Sequence, residues 1–356
     1  MRRTEHYDLV IIGGGIIGAW ALYLAAKRFP TWRTLLIERS TVGSGATAHS
    51  AGVWVAIGRN PFERLLAERS MKLYGEVRSR LNIEMSEARS YWVSSRETFD
   101  ASRQSILDPN PDLREIPAEE LSAKFDFPIR IAGSELIQAG GTPASCDPGG
   151  IARALVTYCR RQPQISVWEG AEVASLQAAR EGAEITLANG NAVSASRTIL
   201  AVGPWVLSGL VPAVATSAIR IKRVVALHID RRPPPDASAL FFPDADAYLM
   251  PLQTRQQWLF SFHRKVWGCH PDNVEPCVNA GDEDEALVAL KRYLPDLVSA
   301  CRGGRAFCDA YAQDGEAVVS THPASNRIVI AGAGAGKGFR LAPGIAETAF
   351  ERFAAP

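Results

Sequence analysis

The start of the chain alternates between apolar runs and glycine-rich or polar stretches, and this pattern predicts regular structure. An apolar run, Leu9–Ile12, leads into Gly13, Gly15 and Gly18, which are spaced as G-x-G-x-x-G, and a longer apolar stretch follows. A second apolar run, Thr34–Glu38, ends in an acidic residue. Short apolar runs bounded by turn residues are typical of buried strands. We therefore expect a strand, a turn, a helix and a second strand.

Later in the chain the pattern changes to alternation. The segments "RIKRVVALHID" (Arg220–Asp230) and "QWLFSFHRKVW" (Gln257–Trp267) alternate apolar and polar positions, which is typical of half-buried strands. Between them, "RRPPPDAS" (Arg231–Ser238) predicts a loop because three prolines interrupt it. The segment "GDEDEALVALKRYLPDLV" (Gly281–Val298) has an acidic start and apolar residues at helical spacing, so it predicts a surface helix.

The stretch "GSGATAHSAGVW" (Gly43–Trp54) has almost no large side chain until its end. Eight of its first ten residues are Gly, Ala or Ser, a composition that favours neither a helix nor a strand. A solvated linker is a poor alternative, because Val53 and Trp54 are unusual choices for one. Small residues permit a close approach of the backbone to another group. The stretch is therefore predicted to lie against a ligand.

Composition and charge limit the functions that fit. The 356 residues are enough for two domains. The 39 basic and 38 acidic residues nearly cancel, so no strong field directs the protein to nucleic acid or to a membrane. Six cysteines without a CxxC pair predict reduced thiols in a cytoplasmic protein and no metal site. The apolar run around the first glycines is interpreted as strand and helix, not as a membrane span.

The G-x-G-x-x-G spacing predicts a dinucleotide site. Gly13 permits a tight turn, Gly15 lets the main chain approach a pyrophosphate, and Gly18 lets the helix pack closely on the strand. The phosphates then lie at the positive N-terminus of the helix. Glu38 follows Gly18 by 20 residues, where a carboxylate accepts hydrogen bonds from the ribose hydroxyls. The bare stretch Gly43–Trp54 favours FAD over NAD, because a flavin ring needs backbone against it.

Separated motifs in the chain resemble those of the FAD-dependent amine and amino-acid oxidase family, which includes D-amino-acid oxidase, glycine oxidase and monomeric sarcosine oxidase. They are the glycine fingerprint with Glu38-Arg39, "GSGATAHSAG", "ASCDPGGIARAL", "TILAVGPWV" and "NRIVIAGAGAGKGFRLAPGIAE". The resemblance implies an α/β protein whose Rossmann-like FAD-binding domain comprises residues 1–75, 146–216 and 306–356. Residues 76–145 and 217–305 are expected to form a substrate domain on an antiparallel sheet.

The resemblance also implies which residues contact FAD. The fingerprint and acidic strand contribute Gly13, Gly15, Ile16, Ile17, Gly18, Glu38 and Arg39. The bare stretch contributes Ser44, Gly45, Ala46, Thr47, His49, Ser50, Ala51 and Gly52. The remaining motifs contribute Val173, Gly203, Trp205, Gly334, Gly336, Lys337, Gly338, Phe339 and Arg340.

Five residues are predicted at the substrate end of the site. Asp309 stands where glycine oxidase has an arginine, so it is expected to face a cationic group. Arg340 stands where sarcosine oxidase has a lysine, and a guanidinium binds a carboxylate through two hydrogen bonds. Tyr248 is expected to face the substrate, Trp54 to form an apolar wall and His49 to lie near the flavin. The alternatives are a flavin-phosphate or surface contact for Arg340, a solvent-facing loop position for Asp309, and an ordinary structural role for Tyr248 and His49.

The resemblance implies that a small amine or amino acid is oxidised to an imine by hydride transfer to flavin N5. Water then hydrolyses the imine, and no dedicated general base is required. FAD is expected to be non-covalent, because Cys308 lies one residue away from the attachment position of sarcosine oxidase. The electron acceptor is O2 or another molecule, since Phe260 stands where that enzyme has its oxygen-activating lysine.

Two alternatives stay open in the sequence. In one, the amine is carried on a larger molecule, so the usual carboxylate clamp is not needed. In the other, the chain is a non-catalytic FAD-binding subunit of a complex. An aromatic-ring hydroxylase is excluded because the late segment "AGAGAGKGF" lacks the G-D-A-x-H motif of those enzymes. Action on tRNA is excluded because the chain has no basic stripe.

Overall fold

The computed structural model describes residues 5–107 and 113–353. The predicted domain segments therefore include residues 1–4, 108–112 and 354–356, which lie outside the described part. The helices are α1 (Ile16–Arg28), α2 (Ala46–His49), α3 (Pro61–Leu81), α4 (Arg96–Ser105), α5 (Ala118–Ser122), α6 (Pro148–Cys159), α7 (Ala213–Thr216), α8 (Ala280–Tyr293) and α9 (Gly338–Arg352). The strands are β1 (Glu5–Tyr7), β2 (Leu9–Ile12), β3 (Thr34–Ile37), β4 (Val53–Trp54), β5 (Ser86–Glu87), β6 (Ser90–Ser94), β7 (Arg114–Glu115), β8 (Leu136–Ala139), β9 (Ala144–Ser145), β10 (Ile165–Trp168), β11 (Val173–Ala179), β12 (Gly182–Leu187), β13 (Ala192–Ala195), β14 (Thr198–Leu200), β15 (Ile219–Ile229), β16 (Ala239–Phe242), β17 (Ala247–Leu252), β18 (Gln257–Ser261), β19 (Cys301–Ala312), β20 (Val318–His322) and β21 (Ser325–Gly332).

A six-stranded sheet forms the centre of the Rossmann-like part, in the order β10-β3-β2-β14-β21-β20. Its first five strands are parallel, and β20 is antiparallel to β21. Leu9 and Ile11 of β2 pack on α1, α6 and α9, whereas Val10 and Ile12 pack towards the four-stranded sheet β1-β13-β12-β11. Burial on both faces explains why this strand is a continuous apolar run. The predicted strand, turn, helix and second strand are confirmed.

An eight-stranded sheet forms the second part, in the order β19-β15-β18-β17-β16-β6-β8-β7. Its strand pairs are antiparallel except for β16 with β6. One face of this sheet packs on α8 through a large apolar cluster. The other face carries a smaller cluster that includes Trp92, Ala226, Phe241 and Met250. This second face is turned towards the cavity described below.

The alternating segments and the predicted helix are present in part. Strand β15 and the loop between β15 and β16 lie where the pattern places them. Strand β18 ends at Ser261 and helix α8 ends at Tyr293, so both are shorter than predicted. However, β15 is buried on both faces along most of its length. Val225 and Leu227 pack in the cluster under α8, while Val224 and Ala226 line the cavity. The expectation of a solvent-exposed face is therefore wrong for most of β15, because Lys222, Val224 and Ala226 face an internal cavity.

The bare stretch Gly43–Trp54 contains one helical turn, α2, and the two-residue strand β4. Its composition alone favours neither element. The turn is fixed by a tertiary contact: the backbone N–H of Ile16 donates to Oγ1 of Thr47 over 3.0 Å. The stretch is thereby held against the N-terminus of α1.

Two further properties bear on function. Within the described residues, no helix combines the length and the apolar character needed to cross a membrane. In the same residues, no group of three or more His, Cys, Asp or Glu side chains is arranged to hold a metal ion.

Candidate functional site

The carboxyl ends of three neighbouring parallel strands meet at one edge of the six-stranded sheet. Gly13 follows β2, Ala201 follows β14 and Ala333 follows β21. In open α/β sheets this edge is where ligands bind. It opens here into two joined cavities, which share Gly15, Thr47, His49, Gly203 and Phe307 among their lining residues.

The first, here called the nucleotide cavity, has a volume of about 530 Å³ and extends from Gly13 past Glu38 to Val173 and Trp205. The second, here called the sheet cavity, has a volume of about 490 Å³ and lies between the 333–340 segment and the eight-stranded sheet. Together they form one long cleft. Gly13 and Glu38 lie at one end, and the other end is lined by charged, aromatic and aliphatic side chains. A dinucleotide has this elongated shape.

Two glycines of the fingerprint are required by close packing. Gly13 has a φ of +102°, and a Cβ there would collide with the carbonyl oxygen of Ala201. A Cβ at Gly18 would collide with the carbonyl oxygen of Gly13. Gly13 therefore makes the tight turn and Gly18 the close contact between helix and strand, in agreement with the spacing argument.

Glu38 lies in the wall of the nucleotide cavity at the end of β3. Its carboxylate accepts the backbone N–H of Gly14 over 2.7 Å and that of Ser40 over 2.9 Å. These contacts fix the carboxylate beside the glycine turn. The arrangement fits an adenosine ribose at this point, because a fixed carboxylate accepts hydrogen bonds from both ribose hydroxyls.

A segment from the second part of the chain closes over the nucleotide cavity. The guanidinium of Arg39 stacks on the ring of Trp205 at 4.1 Å and pairs with Asp272 at 2.6 Å. The indole N–H of Trp205 donates to the same carboxylate over 2.8 Å. Arg39 and Trp205 were expected near the cofactor, whereas no sequence signal pointed to Asp272. Its position depends on how residues 268–276 return across the cleft.

Most residues expected to contact the cofactor line this cleft. The nucleotide cavity is lined by Gly13, Gly15, Glu38, Arg39, Ser44, Gly45, Ala46, Thr47, His49, Val173, Gly203 and Trp205. The sheet cavity is lined by Ile16, Ile17, Ser50, Ala51, Gly334, Gly336, Lys337, Gly338, Phe339 and Arg340. Gly18 and Gly52 lie behind the lining, where each packs against backbone. Shape, bare backbone and the placed carboxylate all fit FAD.

The floor of the sheet cavity is a row of side chains that cross the eight-stranded sheet. Tyr248, Phe241 and Trp92 are direct cross-strand neighbours. Trp92 and Phe241 stack with ring centroids 4.2 Å apart, and Phe241 and Tyr248 lie 5.9 Å apart. Tyr248 therefore lines the sheet cavity beside an apolar surface formed by Phe241 and Trp92. Its predicted contact with the substrate stays a prediction. Burial raises the pKa of the Tyr248 hydroxyl.

Asp309 projects from β19 into the sheet cavity. Its carboxylate accepts the backbone N–H of Gly336 over 2.9 Å and that of Ala310 over 2.8 Å. Burial raises the pKa of this carboxyl to about 6, in spite of these hydrogen bonds and of the nearby charge of Lys222. The Asp309 carboxylate therefore lies in the sheet cavity and links the glycine-rich loop at Gly336 to strand β19 of the eight-stranded sheet.

The raised pKa predicts an unusual pH dependence of stability. Between about pH 4 and pH 6 the folded protein retains a proton on Asp309 that the unfolded chain has lost, so stability falls as the pH rises through this range. Relative to Asp309→Asn, wild type should lose about 2 kcal/mol of unfolding free energy from pH 4 to pH 7. Urea unfolding at several pH values measures this. Asp314→Asn, an exposed neighbour, is the control, and wild-type and Asp309→Asn curves that stay parallel contradict the prediction.

Arg340 is buried at the start of α9 and is already paired. Its Nη2 contacts a carboxylate oxygen of Glu63 at 2.7 Å, and its Nη1 donates to the carbonyl of Ile57 over 3.2 Å. Lys337 contacts the other oxygen of Glu63 at 3.2 Å and donates to the carbonyl of Gly315 over 2.8 Å. Burial lowers the pKa of Arg340 to about 10. Its assignment to a substrate carboxylate stays a prediction.

His49 and Trp54 occupy different surroundings. His49 lines both cavities, and its ring lies parallel to that of Phe307 with centroids 6.2 Å apart. Burial, followed by the charge of Arg305, lowers the pKa of His49. Trp54 packs against the helix-side core, while its neighbours Val53 and Val55 line the sheet cavity. The predicted contact of Trp54 with a substrate stays a prediction.

Sequence reasoning missed three charged residues of the cavity region: Glu63, Lys222 and Asp246. Glu63 was missed because it lies in the first turn of α3, outside every motif named above. Lys222 had one available signal, since it is a lysine within a largely apolar strand. Asp246 lies in a turn with a left-handed φ of +45°, which the sequence does not mark as functional.

Comparisons with known proteins agree with this geometry. A family model described as DAO, FAD dependent oxidoreductase, matches residues 8–352. Glycine oxidase from Geobacillus kaustophilus (strain HTA426) is 24% identical over 364 aligned residues, which cover 96% of this chain and 91% of that protein.

Solved structures share the fold. Glycine oxidase from Geobacillus kaustophilus superposes with a TM-score of 0.77 at 19% identity, covering 99% of this chain and 95% of that chain. NikD, an unusual amino acid oxidase essential for nikkomycin biosynthesis, gives 0.78 at 17% identity, covering 98% and 97%. L-proline dehydrogenase from P. horikoshii gives 0.81 at 16% identity, covering 98% and 93%. Since the family model spans nearly all of the chain and the cleft fits its cofactor, this protein belongs to the DAO family of FAD-dependent oxidoreductases.

Proposed function

We propose that this protein oxidises the C–N bond of a small amine or amino acid to an imine, which water then hydrolyses. The observation that supports this most directly is a carboxylate, Asp309, in the sheet cavity beside the glycine-rich loop. With a pKa of about 6 it is charged at neutral pH. A fixed negative charge favours the binding of an amine, which is a cation in water.

When bound in the cleft, FAD would accept the hydride, with its two electrons, from the substrate C–H bond. The protein binds and orients the substrate. Asp309 holds the nitrogen, and its own hydrogen bond from Gly336 fixes it relative to the flavin-contacting loop. Trp92, Phe241 and Tyr248 provide an apolar floor for the rest of the substrate. Only a neutral amine releases electrons readily, so the substrate must lose a proton first, and we assign no dedicated base.

The names of the related proteins support the same class of substrate. Glycine oxidase, the amino acid oxidase NikD and L-proline dehydrogenase are all named for amino acids. We also keep the two-domain division as a proposal. Residues 1–75, 146–216 and 306–356 would bind FAD, and residues 76–145 and 217–305 would supply the substrate side of the cleft.

The test is the visible spectrum of the FAD-loaded protein under anaerobic conditions, before and after addition of amines and of D- and L-amino acids. We expect at least one compound to bleach the flavin absorbance, and its imine product to appear as a ketone or aldehyde with ammonia or an amine. Asp309→Asn should slow bleaching by about 10- to 100-fold, because it removes a charged hydrogen-bond partner. A yellow protein that no compound bleaches overturns the proposal and favours a carried substrate or a non-catalytic subunit.

A further inference from the structure

Four cationic residues line the sheet cavity: Lys222, Arg340, Lys337 and Arg59. Arg340 and Lys337 share the carboxylate of Glu63 and also donate to backbone carbonyls. Arg59 is exposed to solvent at the mouth of the cavity. Lys222 is different, because it is buried and has no carboxylate contact among the described ion pairs. A buried ammonium needs a group of opposite charge to offset the cost of its burial.

Lys222 is 4% exposed and lies on β15, directly opposite Asp309 on β19. Its ammonium lies 3.0 Å from Nδ1 and 3.4 Å from Nε2 of His263, and this ring is its only hydrogen-bond partner among the described residues. The rings of Trp267 and Tyr311 cover it at 5.5 Å and 5.1 Å. An ammonium has three N–H donors. Lys222 therefore retains donors for a ligand in the cavity.

No ion pair among the described residues contacts the Asp309 carboxylate directly. Its hydrogen bonds within the described residues come from two backbone N–H groups. Although Asp309 and Lys222 face each other across the strand pair, no described ion pair joins them. Burying a charge is costly unless a partner of opposite charge is present. Two opposite charges that share a cavity wall without contact fit a ligand that carries both charges.

We propose that Lys222 binds the anionic group of the substrate while Asp309 faces its amine, so that the substrate is a zwitterion. The inference rests on the proposed function for the identity of the reacting group. It assigns the anion to a residue other than Arg340, whose guanidinium is paired with Glu63.

His263 and Asp246 position Lys222 for this role. Nδ1 of His263 also contacts Asp246 at 2.7 Å. The His263 ring therefore contacts both the Lys222 ammonium and the Asp246 carboxylate, and it links these two groups at the cavity wall. The ammonium is thereby held at the cavity wall without direct neutralisation, which leaves its charge available to an anion.

The test measures binding and not turnover. Acetate, ethylamine and glycine are titrated into the FAD-loaded protein anaerobically, and the dissociation constants are read from flavin absorbance changes and from calorimetry. Lys222→Gln should weaken the binding of acetate and of glycine by about 10- to 100-fold and leave the affinity for ethylamine unchanged. Lys222→Arg keeps the charge and should restore most of the acetate affinity. Asp309→Asn should weaken the binding of glycine and of ethylamine but not the binding of acetate.

Arg59→Gln is the matched control, since it removes a cation from the mouth of the same cavity. Its effect on acetate should stay below about threefold, as for an exposed charge. The proposal is overturned if wild type does not bind acetate or if Lys222→Gln binds acetate as tightly as wild type does. It is also overturned if Arg59→Gln loses as much affinity for acetate as Lys222→Gln does. FAD content and circular dichroism show whether each variant is folded. Because binding is the readout, a protein that binds acetate through Lys222 but bleaches with no amine contradicts only the proposed reaction.

Discussion

Glu63→Ala is expected to lower the free energy of unfolding by about 3–5 kcal/mol, because it leaves the buried Arg340 and the half-buried Lys337 without a carboxylate. Glu63 is 3% exposed, and its two oxygens contact Arg340 at 2.7 Å and Lys337 at 3.2 Å. Urea unfolding at one fixed FAD concentration measures the loss, since bound cofactor itself adds stability.

Glu68→Ala is the control for this prediction. It removes a carboxylate from an exposed position of the same helix, and such surface changes usually cost less than about 0.5 kcal/mol. Adding Arg340→Met to Glu63→Ala should recover part of the loss, because one of the unpaired charges is then removed. Equal unfolding free energies for Glu63→Ala and Glu68→Ala would show that the Glu63 cluster does not stabilise the fold.

Glu38→Ala is expected to weaken FAD binding by about 100-fold. The change removes the acceptor for the ribose hydroxyls, and it also frees the N–H groups of Gly14 and Ser40 that now fix this wall of the cavity. Hydrogen bonds to a charged acceptor are worth about 1.5–3 kcal/mol each, so the loss of one or two gives an effect of this size. Titration of the FAD-free protein, followed by quenching of flavin fluorescence, measures the affinity.

Two variants control for charge and shape. Glu38→Gln keeps an acceptor oxygen and should retain more affinity than Glu38→Ala. Glu172→Ala removes an exposed carboxylate from the rim of the same cavity and should change the affinity by less than about threefold. If Glu38→Ala binds FAD as well as Glu172→Ala does, Glu38 does not contact the ribose.

Much of the nucleotide end of the site was predictable because its parts are neighbours along the chain. The contact between Gly18 and Gly13 involves residues within one strand, turn and helix, although the carbonyl that excludes a side chain at Gly13 belongs to the distant Ala201. The spacing of the glycines indicates where the backbone turns and where the helix packs on the strand, so a short stretch of sequence predicts the geometry of this turn. The bare stretch was likewise recognised, although its single helical turn depends on the contact between Thr47 and Ile16.

The substrate end was much less predictable. Arg340 was recognised as a candidate, but its partner Glu63 lies 277 residues earlier in the chain. Whether a buried guanidinium is free or paired depends on which helix packs against it, and no local pattern encodes this. Lys222 was overlooked because the alternation of β15 predicts a solvent-exposed face, whereas the structure places an internal cavity there.

The sequence by itself therefore determined the α/β class and the FAD cofactor, and it predicted the glycine turn beside Glu38, because short-range spacing fixes backbone geometry. Only the tertiary structure decided how the charges of the sheet cavity are arranged. The strand register places Lys222 opposite Asp309. A turn places Asp246 in contact with His263, and the packing of α3 on α9 places Glu63 in contact with Arg340. Such contacts join distant parts of the chain, and an ionised group is free or paired only according to what the fold places beside it.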